Sequence, residues 1–553
     1  MKRLLTIIIL LVQTLFLLGQ GFKIEQNRVQ IPVLKYKSFT PVLQFKVIAT
    51  NELSINKLLV EFEGTTSIRD IDSVFLLDMG QDSTWRTDKG VLVTQQNLTN
   101  DLAVFTFPTP RPTFNNYFIL VVKLLDNTPL DHFISVGIKK ITFSESKALS
   151  PTIDSNRLKQ RIGVALRKGG DDDVVRYRIP GLVRTNNKTL LALYDVRRNN
   201  HRDLQGDIDI GVSRSTDGGS SWEPMRIGLD MVEYGGLPQK YNGVSDACLL
   251  VDKNSNSIYI AGCWMHGVID GKTGKSITDL TENSTNWNHQ WRNYGSLPGF
   301  DTDKTSQFII AKSTDDGKTW GEAINITKQI KSYEWYLAAP APGSGITLDD
   351  GTLVFPAQGK DKKQTPFSNI IYSKDSGQTW QASKPSYINT TENMVVQLSD
   401  GSIMQNMRDN RNAKNKSDTN GRAIFITKDM GEHWEKHPTH HKSLIEPVCM
   451  ASIYKHTYIN IHGYKNSILL FSNPHSKYQR ERMTIKVSFD DGKTWPEEHW
   501  LLLDELNLNG GYSSLTSINN NTIGILYEGS QAQMTFESIR LDEFGITNTQ
   551  FTN

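Results

Sequence analysis

Short runs of alternating apolar and polar residues occur along the chain from about residue 22 onward. Between residues 22 and 149 they include segments 42–47 and 117–122, separated by breaks rich in Asn, Asp, Gly and Pro. Alternation with a period of two is typical of strands that bury one face, and such breaks are typical of turns. Several strands in about 130 residues predict a small β-sandwich domain over residues 22–150.

The first 21 residues follow a different pattern. Lys2 and Arg3 precede a nearly continuous apolar run over residues 4–18, and Gly19-Gln20-Gly21 follows it. A positive start and an apolar run too short for a comfortable membrane span are typical of a secretory signal peptide. No Ala-x-Ala cleavage site is present, so an uncleaved N-terminal anchor remains the alternative. We expect an exported protein, whether periplasmic, at the cell surface or secreted, with no membrane span once residues 1–21 are removed.

A repeated motif dominates the chain after a linker predicted at residues 150–154, where Pro151 interrupts the pattern. The motif, Ser/Thr-x-Asp-x-Gly-x-x-Trp, begins at Ser215, Ser313, Ser373, Thr427 and Ser488, and an apolar strand precedes each copy. Its hydroxyl and carboxylate can accept hydrogen bonds from turn amides, its Gly can adopt positive φ, and its Trp can pack under the hairpin. Units of about 50 to 60 residues with four strands each are typical of propeller blades. The predicted fold class is therefore all-β: a six-bladed β-propeller over residues 155–553, preceded by the sandwich. One blade would lack the motif.

The spacing of the repeats reveals an insertion. Asp217 and Asp315 lie 98 residues apart, whereas the later neighbouring copies lie 54 to 61 residues apart. The additional residues, roughly 265–305, are polar and aromatic, and include Trp287, His289, Gln290, Trp291 and Tyr294. Two interpretations remain open: an ordinary surface excursion, or a loop that roofs a binding site beside the propeller axis.

Composition excludes several classes of protein. The 61 Lys and Arg residues nearly balance the 59 Asp and Glu residues, and the formal charge of +2 argues against nucleic acid as a partner. The three cysteines, Cys248, Cys263 and Cys449, have neither the number nor the spacing of a disulfide framework or a structural zinc site. The histidines His437, His440 and His441 fall in a polar stretch with a Pro, which favours a solvated loop over a metal site.

The five repeats and the segment Tyr177-Arg178-Ile179-Pro180 make the chain resemble the bacterial exo-sialidases, in which the repeats are called Asp-boxes. The resemblance covers residues 160–553. It implies a glycoside hydrolase that needs no metal or other cofactor and acts on sialylated glycans: glycoproteins, gangliosides and oligosaccharides. We expect a monomer. The N-terminal sandwich resembles the accessory domain of Bacteroidetes-type sialidases, and whether it binds glycan or only packs on the propeller remains open.

A sialic acid carries a carboxylate on its anomeric carbon, and arginine offers planar, permanently charged donors to such a group. The resemblance assigns this role to Arg178, Arg408 and Arg480. Arg482 lies on the same strand face in the alternating pattern and is the rival of Arg480. Glu528 matches the family glutamate that orients the first arginine.

The substrate carboxylate would repel a carboxylate nucleophile, and sialidases use tyrosine instead. Tyr512, within Gly-Gly-Tyr-Ser-Ser, matches the family nucleophile, and Glu392 matches its partner glutamate. An unassisted phenol titrates near pH 10, so the nucleophile needs a base to take its proton.

The leaving oxygen needs a proton from an acid that later activates water. Asp203 matches the family acid/base aspartate, and its neighbours Asp207 and Asp209 are rivals that we expect to be structural. Arg197 and Asp246 match the residues that contact the O4 and N-acetyl side of the sugar.

The implied reaction is hydrolysis with retention of configuration. Two alternatives use the same site: intramolecular trans-sialidase activity, or a preference for a deaminated sialic acid. A third is an inactive propeller lectin that keeps the arginines but lacks a catalytic side chain. Asp203, Glu392 and Tyr512 are all present, which argues against the lectin.

Overall fold

The computed structural model describes residues 13–14, 22–49, 53–113, 115–143, 148–149, 157–265, 268–270, 272–273, 275, 277, 280–289, 295–460 and 462–546. The predicted linker at 150–154 and, apart from Gln13–Thr14, the predicted signal peptide lie outside these residues. Among the helices of the described residues, none combines the length and the apolar character needed to cross a membrane. The chain divides into two compact units, residues 1–165 and 166–553.

The first unit contains two antiparallel sheets. In spatial order, the six-stranded sheet consists of Gln13–Thr14, Phe22–Asn27, Thr40–Ala49, Tyr117–Leu124, Ile71–Gly80 and Val91–Gln96, and the four-stranded sheet of Ala148–Leu149, Gly137–Phe143, Leu53–Glu61 and Leu102–Thr113. Shorter elements are strands Val33–Lys35 and Phe133–Ile134 and the 3₁₀ turns Ile68–Asp70 and Thr87–Lys89. Phe45, Val47 and Val60 are buried next to half-buried residues at positions 46, 48 and 59, whereas residues 40–44 are buried without alternation. This is the small sandwich that the alternation predicts.

The second unit is the propeller. Strand Gln160–Arg167 runs across the boundary between the units, and six sheets follow. Blade 1 consists of Arg176–Arg184, Leu190–Arg197, Ile208–Ser215 and Arg226–Leu229; blade 2 of Val244–Val251, Ile258–Met265, Ser306–Ser313 and Ile324–Asn325; blade 3 of Leu337–Pro340, Leu353–Lys360, Pro366–Ser373 and Gln381–Ala382. Blade 4 consists of Thr390–Gln397, Ile403–Asp409, Ala423–Thr427 and Glu435–Lys436; blade 5 of Ser452–Ile459, Lys465–Pro474, Glu481–Ser488 and Leu501–Asn507; blade 6 of Ser513–Asn519, Thr522–Tyr527 and Met534–Arg540.

Short elements join or extend the blades. They are strands Gly343–Ser344, Ile346–Thr347 and Tyr387–Ile388, the strand pair Val268–Ile269 and Asn288–His289, helix Thr327–Ile330, and 3₁₀ turns Asp171–Asp173, Gln239–Tyr241, Asn410–Ala413, Glu497–His499 and Leu541–Phe544.

Each Asp-box is the turn between the third and fourth strands of blades 1 to 5. In every copy the Gly amide donates to the first hydroxyl at 2.8–3.0 Å, and the seventh residue's amide donates to the Asp carboxylate at 2.9 Å. The box glycines have φ between +75° and +93°, as the turn chemistry predicts. Blade 6 is the blade without a box.

The first strand of each blade lies next to the axis. Arg176–Arg184 of blade 1 contacts Val244–Val251 of blade 2 on one side and Ser513–Asn519 of blade 6 on the other, which closes the ring. A cavity opens at each end of these inner strands. The first is lined by residues near their amino ends, such as Arg178, and the second by residues near their carboxyl ends, such as Arg184.

Candidate active site

The first cavity, of about 450 Å³, brings together most of the residues that the sequence assigns to the site. Seven of the nine line it: Arg178, Asp203, Asp246, Glu392, Arg408, Arg480 and Tyr512. The remaining two, Arg197 and Glu528, form hydrogen bonds with lining residues. These side chains come from five of the blades or from the loops beside them, and they converge at the propeller axis.

Glu528 anchors one side of the cavity. Its Oε1 accepts hydrogen bonds from Arg178 Nε at 2.5 Å and from the Ile179 amide at 2.9 Å, and its Oε2 accepts from the Tyr512 amide at 3.0 Å. Burial raises the pKa of Glu528, but Arg178 and the two amides outweigh burial and lower it. Glu528 therefore remains a carboxylate that fixes the Arg178 guanidinium and the Tyr512 backbone together.

Two local backbone features make this arrangement possible. Ile179 has φ +63° within a bulge of the first strand, an unusual conformation for a β-branched residue. Gly510 leaves the space that Glu528 occupies, because a Cβ at Gly510 would lie 1.9 Å from Glu528 Oε2 and 2.8 Å from Arg178 Nε. The glycine that precedes Gly511-Tyr512 is thus required by close packing.

Tyr512, Glu392 and Arg408 form a second connected group. The Tyr512 hydroxyl donates to Glu392 Oε1, while Arg408 Nη1 donates to Glu392 Oε2 at 2.6 Å and to the Tyr512 hydroxyl at 3.0 Å. Tyr512 is 5% exposed. Burial and the Glu392 charge raise the pKa of Tyr512 well above its usual value, although Arg408 and Arg480 act in the opposite direction. The phenol is held protonated with a carboxylate in position to receive the proton.

Arg480, and not Arg482, reaches the cavity. The Arg480 guanidinium lies 5.5 Å from the centre of the Tyr512 ring and donates to the carbonyls of Gly510 at 2.8 Å and Val448 at 3.1 Å. Arg482 has φ +59° and donates instead to Glu505 at 3.2 Å. Positive φ interrupts the strand alternation on which the rivalry between these two arginines depended.

Asp203 lies on the loop after blade 1's second strand, with 64% of its side chain exposed. Its Oδ1 accepts from Arg197 Nη1 at 2.6 Å and lies 3.9 Å from Arg178 Nη1. Burial of part of the carboxyl raises the pKa of Asp203, but Arg197 and Arg178 outweigh it and lower the pKa below the usual value.

Asp195 is a site residue that the sequence interpretation missed. This buried carboxylate accepts from Arg197 Nε at 3.2 Å and Nη2 at 3.0 Å, and from the Ser245 hydroxyl at 2.7 Å. It holds Arg197 in place behind Asp203. The available signal was strand alternation, since Asp195 and Arg197 are two residues apart on Leu190–Arg197 and so share a face.

Asp246 lies across the cavity with φ +56° and accepts from Gln358 Nε2 at 3.3 Å. Burial and the nearby carboxylates of Glu392 and Asp195 raise the pKa of Asp246 well above its usual value. Gln358 was also missed, because a single glutamine on blade 3 carries no motif.

Asp207 and Asp209, the alternatives to Asp203, do not line the cavity. Arg198 Nε donates to Asp209 at 2.8 Å and lies 3.6 Å from Asp207.

The insertion contacts the loop that carries Asp203. Its described strands Val268–Ile269 and Asn288–His289 pair with each other, and Asn288 accepts from Arg202, the residue before Asp203, at 3.2 Å. Trp287 packs edge-on against Tyr241 at 4.6 Å between ring centres. Gln290, Trp291 and Tyr294 of the insertion lie outside the described residues.

The cysteines and histidines of the described residues form no metal-binding cluster. No group of three or more His, Cys, Asp and Glu side chains there is arranged to hold a metal ion, and the three cysteines are buried and free. The histidines lie in the predicted loop, but the prediction that this loop is solvated fails at His437, which is 4% exposed, and His441 Nε2 lies 2.6 Å from Asp409 Oδ2. The packing of blade 4 buries His437, whereas Pro438 and Lys442 of the same stretch are exposed.

Comparison with known proteins agrees with this geometry. Residues 179–517 match the family model of a BNR repeat-like domain, and residues 20–102 match the N-terminal domain of BNR-repeat neuraminidase. A sialidase of Bacteroides fragilis (strain YCH46) is 44% identical over 432 residues, which cover 77% of this chain and 74% of that protein. The chain belongs to the BNR-repeat sialidase family. As a member of this family it is a glycoside hydrolase.

Further relatives support the same assignment. A Clostridium perfringens sialidase is 31% identical over 373 residues, covering 64% of this chain and 86% of that protein. The solved structure of the Hadza microbial sialidase Hz136 has a TM-score of 0.82 at 36% identity and covers 94% of this chain and 99% of its own. The Ruminococcus gnavus intramolecular trans-sialidase, at 18% identity, TM-score 0.52 and coverage of 69% and 98%, shows the likeness of the fold alone.

Proposed function

We propose that this protein is an exo-α-sialidase that hydrolyses terminal, α-ketosidically linked sialic acids with retention, using Tyr512 as nucleophile. The observation that carries the proposal is the hydrogen-bonded group of Tyr512, Glu392 and Arg408 in a cavity that three arginines line. Its substrates would be sialylated glycoproteins, glycolipids and oligosaccharides. The N-terminal pattern of residues 1–21 supports export, which would bring the enzyme to such glycans.

Substrate recognition would depend on the arginines around Tyr512. The guanidinium carbons of Arg178 and Arg480 lie 5.2 Å and 5.5 Å from the Tyr512 ring centre, and Arg408 reaches the hydroxyl itself. A carboxylate on the anomeric carbon would pair with these groups and bring that carbon close to the hydroxyl. Arginine stays charged at any working pH, so this pairing does not titrate.

In the first step Glu392 takes the Tyr512 proton while the phenolic oxygen attacks the anomeric carbon. The bond from that carbon to the leaving oxygen breaks, and Asp203 gives its proton to this oxygen. Because burial and Glu392 raise the pKa of Tyr512, the phenolate exists only while the transferred proton rests on Glu392. In the second step water gives a proton to Asp203, and the water oxygen attacks the anomeric carbon. The bond from this carbon to the Tyr512 oxygen breaks, and Tyr512 recovers its proton from Glu392.

Asp203 must carry a proton when substrate is bound, although Arg197 and Arg178 lower its pKa in the empty cavity. A bound substrate carboxylate would neutralise Arg178, which lies 3.9 Å from Asp203, and so weaken this effect. Substrate binding would thereby raise the pKa of Asp203 and prepare it as the general acid. Its exposed position also admits the water of the second step.

The test compares the wild-type protein with Tyr512→Phe on a fluorogenic sialic acid conjugate, with the released sugar identified by NMR. We expect release of sialic acid with initial retention, and a kcat at least about 10³-fold lower in the variant. Tyr527→Phe is the matched control, since Tyr527 is also buried and donates to a glutamate, Glu537, at 2.7 Å outside the cavity.

Other outcomes would contradict the proposal. Equal losses in the two variants would indicate a folding defect and not a lost nucleophile. An anhydro sugar product would indicate intramolecular transfer. Binding of sialic acid without turnover by the wild-type protein would indicate a lectin.

A further inference from the structure

The second cavity lies at the opposite end of the propeller axis from Tyr512. Its volume is about 430 Å³, close to that of the first. Its walls come from the carboxyl ends of inner strands, including residues 182–184 of blade 1, 395–397 of blade 4 and Thr516 of blade 6. The same inner strands therefore frame both cavities, but no residue lines both of them.

The charges of this second cavity are strongly unbalanced. Four of its lining residues are cations, Arg184, Lys253, Lys455 and Lys465, and Asp349 is the lining residue with a carboxylate. Among the described residues, none of these four cations forms an ion pair with a protein carboxylate. Arg184 Nε is screened from solvent and has no hydrogen-bond partner in the described part of the chain.

Four unpaired cations around one cavity repel one another unless something neutralises them. Salt screens the repulsion between exposed charges over about 10 Å at 0.1 M, so the repulsion is strongest at low ionic strength. Clustered like charges raise one another's energy, and a bound anion lowers it. The imbalance therefore favours occupation by an anion.

The other lining residues suit a sugar. Gln397, Thr457 and Asn466 offer hydrogen-bonding groups, while Val183 and half-buried Tyr454 offer apolar surface for a ring face. Concave sites of several hundred Å³ are the usual size for a small-molecule ligand, and the mainly polar lining of this one favours a polar ligand. An inorganic ion alone would leave most of this lining unused.

We propose that the second cavity binds a monosaccharide-sized oxyanion, namely a sugar acid or a sugar phosphate, at a site distinct from the catalytic cavity. The anionic group pairs with Arg184 and the three lysines, and the sugar hydroxyls contact the neutral polar residues. This site does not depend on the mechanism proposed for Tyr512.

The experiment is calorimetric titration of the full protein with glucuronate, glucose 6-phosphate, inorganic phosphate and neutral glucose. The key variant is Lys455→Gln/Lys465→Gln, which removes two exposed or half-exposed cations of the cavity. Its matched control is Lys318→Gln/Lys442→Gln, which removes the same charge at exposed positions that do not line the cavity. A third protein, Arg408→Gln/Arg480→Gln, reports any binding in the catalytic cavity.

We expect glucuronate or glucose 6-phosphate to bind the wild-type protein more tightly than phosphate, and glucose not to bind. The key variant should bind the sugar anion more weakly, by about 10-fold or more, whereas Lys318→Gln/Lys442→Gln and Arg408→Gln/Arg480→Gln should bind it as the wild type does. Added NaCl should weaken binding to the wild-type protein. Melting temperature and hydrolytic activity of the key variant should stay near wild type, and Arg184→Lys should retain binding where Arg184→Gln weakens it.

Three results would overturn the proposal. The first is that none of the three anions binds the wild-type protein. The second is that binding is lost only in the Arg408→Gln/Arg480→Gln protein. The third is that the key variant and its matched control weaken binding equally. Binding of phosphate as tightly as the sugar anions would overturn the assignment to a sugar.

Discussion

The two ends of the propeller axis hold cavities of similar volume, but they differ in whether carboxylates balance and hold their cations. At the end with the proposed active site, which we call the catalytic end, Arg178 is fixed by Glu528, Arg408 by Glu392 and Arg197 by Asp195. At the opposite end, Arg184 and the lysines around it have no carboxylate partner in the described residues. Fixed partners hold each guanidinium in one orientation, which catalysis requires, whereas unpaired cations only attract charge.

The largest difference between the two ends should appear when a carboxylate is removed. Glu528→Ala leaves Arg178 as a buried cation without its partner, so we expect the free energy of unfolding to fall by about 3–5 kcal/mol and kcat/KM to collapse. Asp349→Ala at the opposite end should change the free energy by less than about 0.5 kcal/mol. Urea unfolding of both variants measures this. A stable Glu528→Ala protein would show that Arg178 does not need its partner.

Close packing provides the second comparison. Gly510→Ala would force Glu528 and Arg178 apart, since the new Cβ would lie 1.9 Å from Glu528 Oε2. We expect kcat/KM to fall about 10²-fold, because a displacement near 1 Å disrupts the alignment of reacting groups. Gly321→Ala is the control, as its nearest atom would be 3.4 Å away. Full activity of Gly510→Ala would mean that Arg178 need not be held in this position.

Electrostatic coupling at the catalytic end gives a smaller effect. Arg197 lowers the pKa of Asp203, so Arg197→Gln should raise that pKa. Asp203, as the proposed general acid, would work only while protonated, so the alkaline limb of the kcat/KM profile should move to higher pH. Arg226→Gln, an exposed arginine of blade 1 outside the cavity, should leave the profile unchanged. A shift to lower pH in Arg197→Gln would contradict the assigned role of Arg197.

The smallest effect is expected at the opposite end. Lys455→Gln removes one of four mutually repelling cations, so in a chloride buffer without added sugar anions it should raise the free energy of unfolding by about 0.3 kcal/mol. Chemical denaturation at low salt checks the sign. A loss of more than about 1 kcal/mol would mean that Lys455 is paired after all.

The sequence predicts the features that depend on local chemistry. The Asp-boxes specify their own turns and so predict five of the six blades, and motifs around Arg178 and Tyr512 point to residues that the structure places together. Partners that arise from tertiary packing were harder to find. Asp195 had only strand alternation as a signal, Gln358 had none, and the burial of His437 depends on blade packing. No sequence motif predicts the cavity at Arg184 and Lys455, because its residues converge from distant strands.

The closure of the ring also has a consequence for biosynthesis. Arg178 and its partner Glu528 are 350 residues apart, one in blade 1 and the other after the second strand of blade 6. At roughly 5–20 residues per second, the ribosome adds Glu528 some 20 to 70 s after Arg178. A nascent chain therefore cannot assemble the first cavity until residue 528 has been translated. Any product truncated before Tyr512 would lack the proposed nucleophile and this carboxylate, however many Asp-box blades it had completed.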